Sequence, residues 1–169
     1  MNLTEQIANI FKAAQNGDAV RISEIISKNP ELANAENNDG LTPLGFASHF
    51  GQKDAVLALL DYGADINALS HSKVSFIPSN TALHAAIAGN NIDVVNVVEV
   101  LIQKGAEINA VDSNGHTPIQ AAAFEGNLEI AQLLIDNGAD ISRKSGLGSA
   151  VSIASKRGHN EFAELLLVQ

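Results

Sequence analysis

Residues 117–126 read TPIQAAAFEG and residues 134–142 read LIDNGADIS, and these two stretches decide the fold. Thr117 is suited to cap a helix N-terminus, and Pro118 suits the first helical position, where no backbone N–H is needed. Gly126 allows the left-handed turn that ends a short helix, and Gly138 closes the next one. The sequence therefore predicts two short helices, each ended by a glycine.

The same pattern recurs along the whole chain, with similar spacing of the apolar, alanine and glycine positions. The copies are TPLGFASHFG at 42–51, TALHAAIAGN at 81–90, LLDYGADIN at 59–67 and LIQKGAEIN at 101–109, with weaker ones at 8–17 (ANIFKAAQNG) and 149–158 (SAVSIASKRG). Gly105 and Gly138 are 33 residues apart. No single unit can bury its own apolar face, so the units are expected to stack as a solenoid.

These segments resemble the ankyrin repeat, whose unit of about 33 residues reads G-x-T-P-L-H-x-A-A and, further on, L-L-x-x-G-A-D-V-N. The resemblance covers nearly the whole chain and implies an all-α fold, an α/α solenoid with short β-hairpin loops. It implies one domain, residues 1–169, with approximate repeats at 4–36, 37–69, 70–111, 112–144 and 145–169. Ankyrin proteins act chiefly as protein-binding scaffolds, so the resemblance also implies a protein partner.

Two units are longer than the others. Thr42 and Thr81 are 39 residues apart, and we assign the six extra residues to a finger at 69–79 that carries Phe76 and Ile77. We expect this finger to pack back on the adjacent hairpin, the alternative being that it presents apolar side chains to a partner. Thr81 and Thr117 are 36 residues apart, and we assign the three extra residues to a longer second helix at 91–101.

The last helix carries four large apolar side chains, Phe162, Leu165, Leu166 and Leu167. We expect them to point inward and the protein to be a monomer. If they instead leave an open strip, weak self-association through this helix is the alternative.

The composition excludes several classes of function. The chain has 169 residues, no cysteine, and 10 basic against 19 acidic side chains, a net charge of −9. The absence of cysteine excludes a disulfide framework, a cysteine-ligated metal and a thiol nucleophile. The negative charge disfavours nucleic acid and anionic membrane as partners. Because phosphate-binding loops, nucleophile elbows and paired-histidine metal motifs are also missing, we expect no enzymatic activity, no cofactor and no metal.

The N-terminal residues show no basic start followed by an apolar run, and no stretch approaches the ~18 apolar residues that cross a bilayer. We therefore expect a cytoplasmic protein, or one exported without a cleaved N-terminal signal.

The resemblance implies a partner-binding surface made of hairpin tips and the exposed face of the first helices. Its candidate residues are Asn38, Asp39, Leu41, His49, Phe50, Phe76, Ile77, Asn80, Asn114, His116, Phe124, Glu125, Lys156 and Arg157. Ala88 and Gly89 occupy the corresponding places in the third unit and would leave a shallow notch. Phe50 and Phe124 are interpreted either as anchors for a partner or as lids over the core.

Charge is distributed unevenly between the two ends. Residues 1–142 carry six basic and 17 acidic side chains, whereas residues 143–169 carry four basic and two acidic ones. We predict a protein partner with a basic patch and an acidic feature that faces the last repeat, since such charges orient an encounter. Solvated surface charge without a partner role is the alternative.

A different class of function would use the histidines. His49, His71 and His116 fall near the hairpin side of neighbouring units and could together bind a metal or a small molecule. His84 stands at the family's T-x-L-H position, and there we expect it to bond the backbone of a neighbouring loop.

Overall fold

Ten α-helices in five consecutive pairs make up most of the computed structural model, which describes residues 1–169. The helices are α1 (Leu3–Asn16), α2 (Ala19–Lys28), α3 (Pro43–His49), α4 (Lys53–Asp61), α5 (Ala82–Gly89), α6 (Val94–Gln103), α7 (Pro118–Glu125), α8 (Leu128–Asp136), α9 (Ala150–Arg157) and α10 (Asn160–Leu167). A 3₁₀ turn spans Pro30–Asn34, and a two-stranded hairpin joins β1 (Lys144–Ser145) to β2 (Gly148–Ser149). The predicted all-α repeat array is confirmed.

Helices α3 and α7 begin directly after Thr42 and Thr117, the threonines that the repeated motif places at a helix start. The Thr42 hydroxyl accepts a hydrogen bond from the Gly45 N–H at 3.1 Å, and the Gln120 side chain accepts one from the Thr117 N–H at 2.9 Å. Such caps satisfy backbone donors that have no partner inside the helix. Seven of the helices are followed within two residues by a glycine in the left-handed region, and after α5 Asn90 (φ 40°) takes the glycine's place.

The repeats pack side by side, with α1, α3, α5, α7 and α9 in one layer and the second helices in the other. A single apolar core runs through the array from Ile10 and Ile22 to Phe162 and Leu166. Burial is therefore from neighbour to neighbour, as expected for a solenoid. None of the helices is long and apolar enough to cross a membrane.

Asparagines tie consecutive hairpins together. In each tie the side-chain amide donates to the carbonyl of a helix-ending glycine in the next repeat, and its oxygen accepts from the N–H two residues further on. The ties run from Asn34 to Gly63 and Asp65, from Asn67 to Gly105 and Glu107, and from Asn109 to Gly138 and Asp140, at 2.7–3.3 Å. These bonds satisfy backbone groups that the helix ends leave free.

The assignment of three extra residues to the second helix of the third unit is wrong. Helix α6 has ten residues, against nine in α4 and α8, and most of the surplus lies in the turn before it. The Asn91 side chain donates to the His49 carbonyl at 2.9 Å and accepts from the Asp93 N–H at 2.9 Å. Because Asn91 is held against the second repeat, the chain needs a further turn before α6 can begin. Asp93 consequently precedes the helix rather than lying in its first turn.

The last helix is divided between core and solvent. Phe162 and Leu166 are buried and Leu165 is half-buried, whereas Leu167 and Val168 are exposed. The inward orientation is therefore correct for most of the helix, but not for Leu167.

Candidate functional site

A groove of about 450 Å³ lies across the first helices and the hairpins of the middle repeats. Eleven of its 23 lining residues are hydrophobic, so the lining combines apolar and polar side chains. Ten of the fourteen predicted surface residues line it: Leu41, His49, Phe50, Phe76, Ile77, Asn80, Asn114, His116, Phe124 and Glu125. Asn38, Asp39, Lys156 and Arg157 lie outside the lining and are exposed.

The floor of the groove consists of small side chains. Ala85 and Ala88 of α5 and Ala121 of α7 line it, whereas α3 places Phe46 at the position that Ala85 and Ala121 occupy in their repeats. Gly89 brings α5 close to α3, because a Cβ at this position would overlap the His49 carbonyl oxygen. The notch that the sequence predicts around Ala88 and Gly89 therefore lies within a larger groove.

Phe50 forms one wall and belongs to a row of aromatic rings. The Phe11 and Phe46 ring centroids are 5.2 Å apart, and those of Phe46 and Phe50 are 5.1 Å apart. The His49 ring packs edge-on against Phe50 at 5.2 Å. Phe50 nevertheless keeps 39% of its surface exposed. It is thus both a partial lid over its neighbours and an accessible aromatic surface.

Phe124 forms the opposite wall and is held differently. The Arg157 guanidinium carbon lies 3.9 Å from the centre of the Phe124 ring, a cation–π arrangement. The Arg157 Nε–H donates to the Phe124 carbonyl at 3.4 Å, and the His159 Nε2 bonds the same oxygen at 3.1 Å. Phe124 is 40% exposed, so it combines the same two properties as Phe50.

The finger at residues 69–79 borders the groove at its hairpin side. Its base is tied to both neighbouring hairpins, because the His71 N–H donates to the Gly40 carbonyl at 2.9 Å and the Ser113 N–H donates to the Ser79 carbonyl at 2.8 Å. Ile77 is half-buried, but Phe76 at the tip is 83% exposed. The expectation that the finger packs back is therefore wrong for Phe76.

Polar groups gather at the hairpin side of the groove. Buried His84 bonds the His116 carbonyl through Nε2 at 2.9 Å, and its Nδ1 lies 2.8 Å from the Thr81 hydroxyl. Since a carbonyl only accepts, Nε2 carries the proton and Nδ1 accepts from the hydroxyl. Burial lowers the pKa of His84, opposed by its bond to the His116 carbonyl and by the charge of Asp112. The predicted structural role of His84 agrees with this geometry.

The three histidines of the alternative function each have a separate partner. His49 Nδ1 bonds the Ala85 carbonyl at 3.3 Å, exposed His71 bonds the Glu36 carboxylate, and His116 Nδ1 lies 3.7 Å from the Asp112 carboxylate. No group of three histidine, cysteine, aspartate or glutamate side chains is arranged to hold a metal ion. The metal-binding alternative therefore finds no site among them.

Sequence reasoning missed several lining residues, among them Phe46, Ala85, Ala121, Leu147 and Ile153. Phe46, Ala85, Ala121 and Ile153 occupy one position of the aligned first helices. A comparison of this position across the repeats would have found them. Leu147 had no such signal, because the hairpin before α9 lacks the threonine–proline start by which the second and fourth repeats align.

Stacked helix pairs with an open groove across their first helices define a repeat protein of the solenoid class. A family model described as ankyrin repeats (three copies) matches residues 3–70 and 69–145. The chain therefore belongs to the ankyrin repeat family, whose repeats are generic protein–protein interaction modules.

Several curated proteins are similar to the chain. It is 31% identical over 179 residues to the ankyrin repeat and KH domain-containing protein mask-1 of Caenorhabditis elegans, covering 92% of this chain and 7% of the relative. It is 34% identical over 109 residues to the mouse B-cell lymphoma 3 protein homolog, covering 64% and 22%. It is 32% identical over 127 residues to the putative ankyrin repeat protein FPV024 of fowlpox virus, covering 75% and 20%. The chain thus spans less than a quarter of the length of each of these relatives.

Proposed function

We propose that the chain is a non-enzymatic protein-binding module that takes a segment of its partner into the groove. The observation that carries this proposal is the groove itself, a cleft of about 450 Å³ with an alanine floor and two half-exposed aromatic walls. Aromatic side chains, phenylalanine included, are enriched at protein interfaces relative to the rest of the surface.

The two aromatic walls are held in place by contacts within the protein. Phe50 is braced by Phe46, and Phe124 by Arg157. Side chains that need not be ordered on binding lower its entropic cost, which is about 0.5–1.5 kcal/mol for each immobilised side chain. The groove is therefore suited to rigid recognition rather than to folding around a partner.

Asp112 and His84, two polar groups of the groove, support a non-enzymatic role because both are engaged in holding the fold. Asp112 Oδ1 accepts the N–H groups of Asn114 and His116, each at 2.9 Å, and His84 is engaged on both ring nitrogens. These groups hold the hairpin and the start of the neighbouring helix. A general acid or base needs a ring nitrogen or carboxylate oxygen directed at a substrate.

Charge outside the groove orients the partner. Exposed Asp39 lies near the finger, and exposed Lys156 and Arg157 lie at the end of α9. We propose a partner with a basic patch over the acidic repeats and an acidic feature near Lys156 and Arg157. Because a segment bound in a groove is covered, the expected effect on the partner is inhibition or neutralisation of whatever that segment does.

A substitution that fills the groove with a larger side chain tests this proposal. Ala88 lies exposed on its floor, so Ala88→Phe inserts a ring between Phe50 and Phe124. The control is Ala8→Phe, at an exposed alanine of α1 outside the lining. Both proteins and the wild type are used as bait in a lysate of the organism that encodes the chain, after circular dichroism has checked that each is folded.

The proposal predicts that the wild type and Ala8→Phe retain the same partner protein and that Ala88→Phe loses it. Retention of that partner by a folded Ala88→Phe protein would contradict groove binding.

A further inference from the structure

The charged side chains that line the groove are all acidic. Asp112 and Glu125 are among its lining residues, and no lysine or arginine is. Asp112 lies in the hairpin that precedes α7, and Glu125 is the last residue of this helix.

Glu125 is a carboxylate of the groove that has no polar partner within the protein. Its side chain is half-buried and makes no hydrogen bond or ion pair, although the Arg157 guanidinium stacks on the adjacent Phe124. It also lies at the C-terminus of α7, where the helix dipole disfavours a negative charge. A cation placed here by a ligand would compensate both effects.

Asp112 adds negative charge that the protein does not neutralise with lysine or arginine. Its Oδ1 is occupied by two backbone N–H groups, and its Oδ2 lies 3.7 Å from His116 Nδ1. Charge complementarity therefore favours a cationic ligand group rather than an anionic one along the α7 side of the groove.

We infer that the groove takes an apolar peptide segment whose large anchor side chain lies over Ala85 and Ala88, and whose lysine or arginine pairs with Glu125. This inference rests on the proposed function and names the chemistry of its partner segment. Ala88 and Glu125 lie in adjacent repeats, and packed helices are about 8–10 Å apart. An extended segment covers that distance in about three residues, so the cation follows or precedes the anchor by about three positions.

The test uses phage-displayed random 12-residue peptides selected on the wild type and counter-selected on Ala88→Phe. Selected sequences are expected to share a large apolar residue with Lys or Arg about three positions away. A selected peptide is then synthesised with lysine or with uncharged norleucine at that position, and its affinity is measured by fluorescence anisotropy.

The expected result is a five- to tenfold loss of affinity for the lysine peptide in Glu125→Gln, since partly buried charge pairs are stronger than exposed ones. The norleucine peptide should bind wild type and Glu125→Gln equally. Glu129→Gln, at an exposed carboxylate of α8 outside the groove, is the matched control and should change neither affinity.

The outcomes separate this inference from the proposed function. If the selected peptides require the open groove but are acidic, or if their affinity is unchanged in Glu125→Gln, the pairing of a peptide cation with Glu125 is refuted. Binding in the groove would still hold. Peptides that bind Ala88→Phe as well as the wild type would overturn both. A peptide ligand would also be refuted if the library yields no enriched peptides. The same holds if native mass spectrometry finds a small molecule on the wild type and not on Ala88→Phe.

Discussion

The second and third repeats place different side chains on nearly the same backbone. Helix α3 and the residue that follows it carry Phe46, His49 and Phe50 where α5 carries Ala85, Ala88 and Gly89. In the second repeat these positions build an aromatic wall, and in the third they leave the floor of the groove. The concave shape therefore depends on three side-chain positions at a first helix, while caps and asparagine ties keep the framework constant.

The largest effect is expected at Gly89. In most helices Gly→Ala stabilises by up to about 1 kcal/mol, but here a Cβ would overlap the His49 carbonyl oxygen of α3. We predict that Gly89→Ala lowers the free energy of unfolding by about 3 kcal/mol, measured by urea denaturation. Gly146→Ala is the control, since a Cβ there meets nothing within 4 Å, and it should be nearly neutral. A stabilised Gly89→Ala protein would show that the two helices are not in close contact.

The next effect concerns the wall in the second repeat. Phe46 packs between Phe11 and Phe50, so Phe46→Ala should lower the free energy of unfolding by about 2 kcal/mol through lost apolar burial and ring contacts. Phe76→Ala, at the exposed finger tip, should change it by less than about 0.5 kcal/mol. Equal losses from the two substitutions would mean that the finger packs on the protein after all.

A smaller effect is expected at Ser48, whose counterparts are Ile87 in the third repeat and Ala123 in the fourth. Its hydroxyl is buried and has no hydrogen-bond partner. Ser48→Ala removes this unpaired group and should raise the free energy of unfolding by about 1 kcal/mol. Ser155→Ala, at the exposed counterpart in α9, should gain only about 0.5 kcal/mol from helix propensity. A destabilised Ser48→Ala protein would indicate that the hydroxyl is bonded.

The smallest effect depends on pH and contrasts His84 with Gln120, its counterpart in the fourth repeat. Because the folded pKa of His84 is lowered, the unfolded chain binds its proton more readily. The contribution of neutral His84 to the free energy of unfolding is therefore fully present above the unfolded pKa of about 6.5. It is lost as the pH falls toward the folded pKa. The loss can reach at most about 1.4 kcal/mol per pH unit. Denaturation midpoints from pH 7.5 to pH 5 should fall less steeply in His84→Gln, and an identical slope would contradict a buried neutral imidazole.

The sequence predicted those parts of the molecule that local chemistry determines. Thr42 and Thr117 cap helices, glycines end them, and the extra residues at 69–79 lie in an exposed loop, because each follows from short-range backbone preferences. Most of the candidate surface residues also line the groove, because their repeat positions define a common face.

What the sequence did not predict depends on contacts between repeats. The length of an insertion does not say which element receives it, and only the bond from Asn91 to the His49 carbonyl places the extra turn before α6. The sequence did not predict the floor at Ala85 and Ala121, because small side chains form the floor of a groove only where larger side chains of the neighbouring repeats stand beside them. The exposure of Phe76 likewise depends on how two hairpins hold the base of the finger.

Photo-crosslinking from the wall of the groove tests most directly whether the partner binds there. The photoreactive analogue p-benzoylphenylalanine replaces Phe124, which is 40% exposed, or Tyr62, which is 43% exposed and lies outside the lining. If the partner binds in the groove, it crosslinks from position 124 and not from position 62. Crosslinking from position 62 alone, with both proteins folded, would contradict the groove as the binding surface.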